Sequence, residues 1–280
     1  MDLLSKFKEK FYIAILLVTL PVNTLLAADL IFSAPPRESE TAGKILYQPI
    51  ADYLSKILNK KVIYQYPDNW FNYQNNMKHG AYDIIFDGPH FVSWRIAHLE
   101  HQAILKLPGS LEFLLVANAN NNKLNKPKDM IGKHFCGVSP PHLSSLTFLG
   151  SFSNPVTHPR VQGIKGGMGK VFEAFNNDKC PAAVLRKNYY QKILTEQQRG
   201  DLKIVFNSKS LPNQAISVSK QLTKKEKQNI ANALTKGEGI ALTQAILKRF
   251  TDYKTTAFIK TNNKEYKGYN RFLEGVLFGW

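Results

Sequence analysis

The chain has 280 residues, enough for one large domain or for two medium lobes that each bury a core. Its hydrophobic content of 44% excludes a disordered chain, and 37 Lys and Arg against 21 Asp and Glu give a formal charge of +16. The positive charges are scattered singly or in pairs and no nucleic-acid-binding motif is present, so we expect no nucleic-acid partner.

The N-terminus has the layout of a secretory signal peptide. Three lysines within residues 6–10 precede an apolar run from Phe11 to Leu20, and Ala27-Ala28 offers small residues for cleavage. We predict a signal peptide over residues 1–28 and a mature protein free in the periplasm. A retained anchor helix is the alternative, but the apolar stretch is barely long enough to span a bilayer and contains Pro and Asn.

Strands and helices alternate from Asp29 onward, and repeated β-α-β units predict sheets with helices on both faces. The predicted strands are Leu30–Phe32, Lys61–Tyr66, Asp83–Phe86, Phe113–Ala117, Lys133–Val138, Val161–Ile164, Ala182–Leu185, Leu202–Phe206 and Ala215–Val218. The predicted helices are Leu46–Leu58, Trp70–His79, His90–His101, Ser144–Phe152, Met168–Asn176, Tyr189–Gln197, Asn229–Leu234, Leu242–Phe250 and Tyr266–Leu277.

Two crossings between the sheets, near residues 112–117 and 209–215, predict a hinged α/β protein of two lobes, each a mostly parallel sheet flanked by helices. The first lobe is assigned residues 29–114 and 210–280, including the C-terminal helices. The second lobe is assigned residues 115–209.

The chain has two cysteines, Cys136 and Cys180. An even count in an exported protein favours one disulfide, with two buried free thiols as the alternative. In the usual doubly wound order the strands of Cys136 and Ala182 are neighbours, which would let the two cysteines meet.

Ligands bind open parallel sheets beyond the carboxyl ends of the strands, and the loop from Ser139 to Ser145 is the most informative of the loops there. Ser144 or Ser145 is a natural N-cap of the following helix, where a hydroxyl and free backbone N–H groups can hold an anion. His142 would add a donor. An ordinary helix cap explains the same residues equally well.

Other strand ends carry weaker signals. The Gly163–Val171 stretch fails the phosphate-loop pattern because Val171 follows Lys170, although backbone amides near Gly167 could still cradle an anion. Trp70 begins a helix beside a strand end and would contact either ligand or core. Histidines 90, 98 and 101 suggest metal binding only weakly, so we predict no metal, no cofactor and no catalytic residues.

Six stretches, taken in order and spacing, carry a family resemblance. They are Tyr47–Leu54, Met77–Phe86, Gly88-Pro89, Lys128–Lys133, Ser139–Ser145 and Glu265–Tyr269. On these residues the mature chain resembles the phosphate/phosphite/phosphonate-binding proteins of ABC importers. The resemblance implies a type II periplasmic binding fold, a small anionic solute held between two lobes, and an inner-membrane ABC permease as partner. We expect the protein to be a monomer.

Some of the family's ligand-binding residues match the corresponding positions of this chain, and others do not. The family's first-lobe aromatic residue falls on Trp70, where Tyr is usual, and its Ser-Thr-Ser cradle falls on His142-Leu143-Ser144. Its His on the Gly-rich turn falls near Met168-Gly169 and is missing, so His142 could replace it. These departures admit another anion, such as a sulfonate or carboxylate. The residues predicted to bind the ligand are Ser139, His142, Ser144, Ser145, Trp70, His90 and Gly167.

Three other functions compete with transport. A sensor subunit would use the same closure to signal to a membrane partner. A periplasmic hydrolase would use His142 and Ser144, but no orienting acid is evident beside them. A metal-binding protein would use the histidines.

Overall fold

The computed structural model describes residues 28–154, 156–251 and 257–274. The first part of the chain alternates strands and helices as predicted and adds one unpredicted strand, β4. Its elements are β1 (Leu30–Ser33), α1 (Glu40–Leu58), β2 (Val62–Tyr64), α2 (Trp70–Lys78), β3 (Ile84–Asp87), α3 (Pro89–Leu99) and β4 (Gln102–Lys106).

The middle of the chain continues the alternation. Its elements are β5 (Ser110–Leu111), β6 (Phe113–Asn118), β7 (His134–Gly137), α4 (Leu143–Leu149), β8 (Arg160–Gly163), α5 (Gly167–Asn176), β9 (Ala183–Arg186), α6 (Lys187–Lys192), α7 (Glu196–Gly200) and β10 (Leu202–Asn207). The helix predicted over Tyr189–Gln197 is instead the pair α6 and α7, because Thr195 caps a new helix through a capping box with Gln198.

The last part returns to the first sheet. Its elements are β11 (Leu211–Pro212), β12 (Ala215–Val218), α8 (Lys224–Leu234), α9 (Gly237–Phe250) and β13 (Ile259–Lys260). The helix predicted over Tyr266–Leu277 was wrong within the described residues. The chain forms two 3-10 turns there, Asn263–Tyr266 and Tyr269–Phe272, separated at Gly268, whose φ of 85° breaks any helix.

Both large sheets are mixed, which corrects the expectation that they are mostly parallel. The strand orders are β13-β4-β12-β3-β1-β2 and β10-β6-β9-β7-β8. β1 runs parallel to β2 and β3, and β7 runs parallel to β8 and β9. β12 and β6 are each inserted antiparallel between two neighbours. They follow the crossings directly rather than a β-α-β connection, so the right-handed crossover that makes neighbours parallel does not apply to them.

The two crossings pair with each other. β5 and β11 form a small antiparallel sheet in which Leu111 is opposite Leu211. In the chain, each of these two strands lies between a strand of one large sheet and a strand of the other. The turn Tyr269–Phe272 packs against both α3 and α4 and so also contacts both lobes. The residue boundaries assigned to the lobes stay a prediction.

Side-chain alternation along the strands explains why the second sheet is covered on both faces. Leu114 and Val116 of β6 belong to a core with helix α5, whereas Leu115 and Ala117 belong to a core on the other face with α4. The first sheet carries its own core under α1, α8 and α9. Each lobe therefore has a rigid body on which loops at strand ends can be positioned.

The predicted disulfide between Cys136 and Cys180 is confirmed, with 5.6 Å between the two Cα atoms. β7 lies beside β9, and Cys136 is opposite Ala183, as the strand order predicted. The predicted signal peptide lies outside the described residues except for Ala28. Within the described ranges, no helix has the length and apolar character needed to cross a membrane.

Candidate ligand-binding cleft

A cleft of about 270 Å³ lies between the two lobes, at the carboxyl ends of their parallel strands. The first lobe lines it with Arg37 after β1, Trp70 at the start of α2, and the segment 88–91 after β3. The second lobe lines it with the segment 141–143 after β7 and with residues from α5 and β9, among them Gly167 and Arg186. Residues at the crossings also line it, namely Leu111, Phe113 and Gln214.

Two arginines, which the sequence analysis missed, give this cleft its charge. Arg37 Nη1 and Arg186 Nε are both buried without a hydrogen-bond partner among the described residues. Burial lowers the pKa of Arg186 to about 10, so this side chain is still a cation at neutral pH. The third lining arginine, Arg249, is different because its Nη2 pairs with Glu38 at 2.8 Å. None of the described lining residues is Asp or Glu.

His90 connects the two lobes across the cleft. Its side chain is 3% exposed, and its Nε2 lies 2.9 Å from the carbonyl oxygen of Pro141 in the opposite lobe. A carbonyl oxygen only accepts, so Nε2 carries the proton and Nδ1 of the neutral ring is an acceptor. Nδ1 is buried and has no partner in the described structure. Burial lowers the pKa of His90 to about 3, which keeps the ring neutral.

His142 caps helix α4 instead of leaving the helix start open for an anion. The backbone N–H of Ser144 donates to His142 Nδ1 at 3.3 Å, and the Ser144 hydroxyl lies 2.7 Å from the same nitrogen. Nδ1 is therefore the acceptor and Nε2–H is the donor of this ring. Burial, and then the charges of Arg37 and Arg186, lower the pKa of His142 to about 4, so it lines the cleft as a neutral donor.

The three predicted serines lie outside the lining of the cleft. Ser144 is fully buried, with its hydroxyl on His142. Ser145 is fully buried and donates to the carbonyl of Val138 at 2.5 Å. Ser139 is exposed and packs on the Cα of Gly163, where an added Cβ would lie 2.1 Å from its hydroxyl oxygen. Ser144 therefore does not line the cleft and does not contact a ligand directly in this arrangement.

Trp70 and Gly167, two of the residues predicted to bind the ligand, line the cleft. The Trp70 ring stacks on Phe91, with 6.0 Å between centroids, so it presents an aromatic wall that is itself packed. Gly167 begins α5 with a φ of 82°, a conformation that a side chain would strain.

A buried ion pair anchors the segment that carries His90. Asp87 ends β3 and receives Arg95 Nε at 3.0 Å, and both side chains are fully buried. The Tyr73 hydroxyl donates to the same carboxylate at 2.6 Å. This network fixes α3 against β3, and so fixes the position of Gly88 and His90 between them.

The histidines do not form a metal site in the described structure. His98 pairs with Glu274 at 2.6 Å, and His101 is buried beside Ser217. Over residues 28–154, 156–251 and 257–274, no group of three or more His, Cys, Asp or Glu side chains is arranged to hold a metal ion.

Two hinged lobes that enclose a cationic cleft define the class of two-lobed solute-binding proteins. The family model described as "ABC transporter, phosphonate, periplasmic substrate-binding protein" matches residues 32–266. The chain belongs to this family of periplasmic substrate-binding proteins, which are transport components and not enzymes, and its fold is the type II periplasmic binding fold.

Solved structures agree with this fold at low sequence identity. A binding protein component of an ABC phosphonate transporter from Pseudomonas aeruginosa has a TM-score of 0.58 and 15% identity, over 85% of this chain and 83% of that chain. PhnD1 from Prochlorococcus marinus, in complex with methylphosphonate, has a TM-score of 0.60 and 15% identity over 88% and 97%. A Xanthomonas citri protein bound to ATP has a TM-score of 0.68 and 10% identity over 88% and 97%. No curated protein matches the sequence.

Proposed function

We propose that this protein is the soluble binding component of an ABC importer, and that it closes its lobes around a small oxyanion of the phosphonate or phosphate type. The anion lies between Arg37 of the first lobe and Arg186 of the second. The complex then delivers the anion to an inner-membrane permease. The family membership and the methylphosphonate bound to PhnD1 support a phosphonate as the first ligand to test.

The observation that carries the proposal is that Arg37 Nη1 and Arg186 Nε are buried without a hydrogen-bond acceptor among the described residues, in a cleft whose described lining has no carboxylate. A buried N–H donor of a cation that lacks an acceptor is unfavourable, so an anion that supplies acceptors to these two nitrogens would be stabilised in the cleft. Because the two arginines come from different lobes, one anion that binds both would stabilise the closed arrangement.

The other predicted residues differ in how close they come to the ligand in this proposal. Trp70, His90, His142 and Gly167 line the cleft and would contact the ligand. Ser144 would act through His142, whose ring it orients. Ser139 and Ser145 would support the loop before α4 without touching the ligand.

The test is calorimetric titration of the mature protein with methylphosphonate, inorganic phosphate, sulfate and a neutral sugar. We expect the oxyanions to bind and the sugar not to bind. Arg37→Gln and Arg186→Gln should each weaken anion binding about tenfold to a hundredfold, the loss expected for a hydrogen bond to a charged group. Arg160→Gln is the matched control because Arg160 is exposed on β8 and does not line the cleft.

Binding of no anion, or equal losses in all three variants, would overturn the proposal. Export has its own test: mass spectrometry of the periplasmic fraction should show a chain that begins near Ala28 or Asp29. Intact Met1 in the membrane fraction would contradict the signal peptide.

A further inference from the structure

One hydrogen bond between the lobes is made entirely by protein atoms. His90 of α3 lies in the first lobe, and its Nε2 donates to the carbonyl oxygen of Pro141 in the second lobe at 2.9 Å. Both residues are buried, and they are 51 positions apart in the sequence. Because neither atom belongs to a ligand, this bond joins the two lobes whatever occupies the cleft.

An apolar contact also joins the lobes. Leu146 of α4 is 2% exposed and belongs to the same buried cluster as Phe91 and Trp94 of α3. Its neighbours on α4, Phe148 and Leu149, belong instead to the core of the second lobe. Separation of the lobes would return Leu146 and the rings around it to water, which is unfavourable.

The His90 ring is held where it can donate across the cleft. It fills the space over Gly88, where an added Cβ would lie 2.9 Å from His90 Cε1, and it packs on Phe91 with 4.1 Å between ring centroids. The acceptor is also held in place, because the Ser145 hydroxyl donates to a carbonyl of the loop that carries Pro141. Little conformational entropy is therefore lost when the bond between the lobes forms.

The two buried arginines act against closure. Arg37 Nη1 and Arg186 Nε come from different lobes and have no acceptor among the described residues. Open lobes would let water reach both nitrogens, so closure without an anion leaves two donors unpaired, which is unfavourable. The contacts between the lobes and these two donors therefore have opposite effects on closure.

We propose that His90 and Leu146 form a latch that closes the lobes before a ligand binds. The unliganded protein then populates the closed arrangement, and an anion shifts the population further by pairing with the arginines. This inference rests on the proposed function only for the place where the ligand binds. It gives His90 a positioning role, because the apparent affinity for any ligand of the cleft scales with the fraction of protein that is closed.

The test measures the distance between the lobes in the mature protein. Spin labels are attached at Phe71→Cys on the first lobe and Lys165→Cys on the second, since both residues are exposed. Bound solute is removed after labelling by unfolding in urea and refolding. We expect a short and a long distance before any ligand is added, and methylphosphonate should enrich the short one.

Two substitutions break the latch at its two contacts. His90→Phe keeps an aromatic ring and removes the donor, so the ratio of short to long distances should fall about twofold to tenfold, as expected for the loss of one hydrogen bond. Leu146→Ala removes the apolar contact and should lower the same ratio by about tenfold or more.

Two matched controls distinguish a latch from a general loss of stability. His79→Phe makes the same change at an exposed histidine of the first lobe, and Leu149→Ala makes the same truncation on α4 within the core of the second lobe. Both controls should leave the ratio of distances unchanged. The latch is overturned if the short distance is absent before ligand is added, if either latch variant leaves the ratio unchanged, or if the controls lower it equally.

Anion titration separates the latch from recognition of the ligand. His90→Phe should weaken binding of methylphosphonate and of inorganic phosphate by one common factor, about twofold to tenfold, because it changes only the closed fraction. A factor that differs between the two anions would mean that His90 recognises the ligand and would overturn its positioning role. Failure of every anion to bind the unmodified protein overturns the proposed function instead, while the distances measured without ligand still decide the latch.

Discussion

Ser144 holds the imidazole of His142 through two contacts with one nitrogen. Its backbone N–H donates to Nδ1 at 3.3 Å, and its hydroxyl oxygen lies 2.7 Å from the same atom. The serine predicted to bind the ligand directly thus orients a histidine that lines the cleft. Ser144 should therefore affect ligand binding only by orienting the His142 ring.

Ser144→Ala should weaken anion binding by up to about tenfold, because the His142 ring loses one of the two contacts that orient Nε2–H. In His142→Ala the same serine substitution should have no further effect, and a double-mutant cycle measures this coupling. Ser151→Ala is the control, since its hydroxyl bonds to the carbonyl of Phe148 at the far end of α4. Additive losses from Ser144 and His142 would contradict the indirect role.

The disulfide between Cys136 and Cys180 joins β7 to the segment that enters β9, across 44 residues of sequence. Replacing both cysteines with serine should lower the free energy of unfolding by about 3–4 kcal/mol, because the unfolded chain regains the entropy of an open loop. Urea unfolding of the oxidised protein and the double variant gives this difference. Thiol titration of the denatured, unreduced protein should find no free thiol, and two free thiols would refute the bond in solution.

Much of the architecture followed from the sequence because periodic apolar residues report which face of an element is buried. The helical spacing in Leu46–Leu58 is such a signal, and the uninterrupted apolar run Phe113–Ala117 is typical of a strand buried on both faces. Both elements formed. The inserted antiparallel strands were missed because strand order depends on where the chain crosses between lobes. β4 was missed because its register is set by β12, which is distant in sequence.

The site was harder to predict than the fold. Arg37 lies in the loop after β1 and Arg186 ends β9, so their positions at strand ends were visible in the sequence. The sequence does not show which Lys or Arg nitrogens become buried without a hydrogen-bond acceptor. Most of the 37 Lys and Arg look alike in the sequence. Ser144 looked plausible as the N-cap of α4, but His142 takes the cap position and accepts from the backbone N–H of Ser144. A choice between adjacent caps depends on side-chain rotamers.

Three histidines with lowered pKa values predict how stability depends on pH. Burial lowers the pKa of His90 and of His101 from 6.5 to about 3, and that of His142 to about 4. Below pH 6.5 the unfolded chain therefore takes up protons that the folded chain does not bind, and the folded state loses stability as the pH falls toward 3. The expected slope is about 1.4 kcal/mol per pH unit for each histidine.

Urea unfolding at pH 7, 6 and 5 measures this dependence. His101→Gln should flatten the slope without touching the cleft, because His101 lies at the start of β4 beside Ser217. His79→Gln is the matched control, since His79 is exposed. An identical slope in the His101 variant would show that the buried ring is not the source.

The ion pair of Asp87 and Arg95 predicts a link between the stability of the first lobe and the cleft. Both side chains are fully buried, and Asp87 also accepts from Tyr73, so Asp87→Asn leaves the Arg95 charge without its counter-ion. The loss of unfolding free energy should be about 3–5 kcal/mol. Because Gly88 follows Asp87 directly and His90 lies on the same helix as Arg95, the affinity for anions should also fall.

Asp87→Leu combined with Arg95→Met removes both charges, so it should recover much of the stability that Asp87→Asn loses. Chemical unfolding and anion titration of both variants distinguish two roles for the pair. If the double variant recovers both stability and anion affinity, the ion pair acts only through packing of α3. If it recovers stability alone, the geometry of the charged pair sets the position of His90. Stability that is unchanged in Asp87→Asn would contradict the anchoring role altogether.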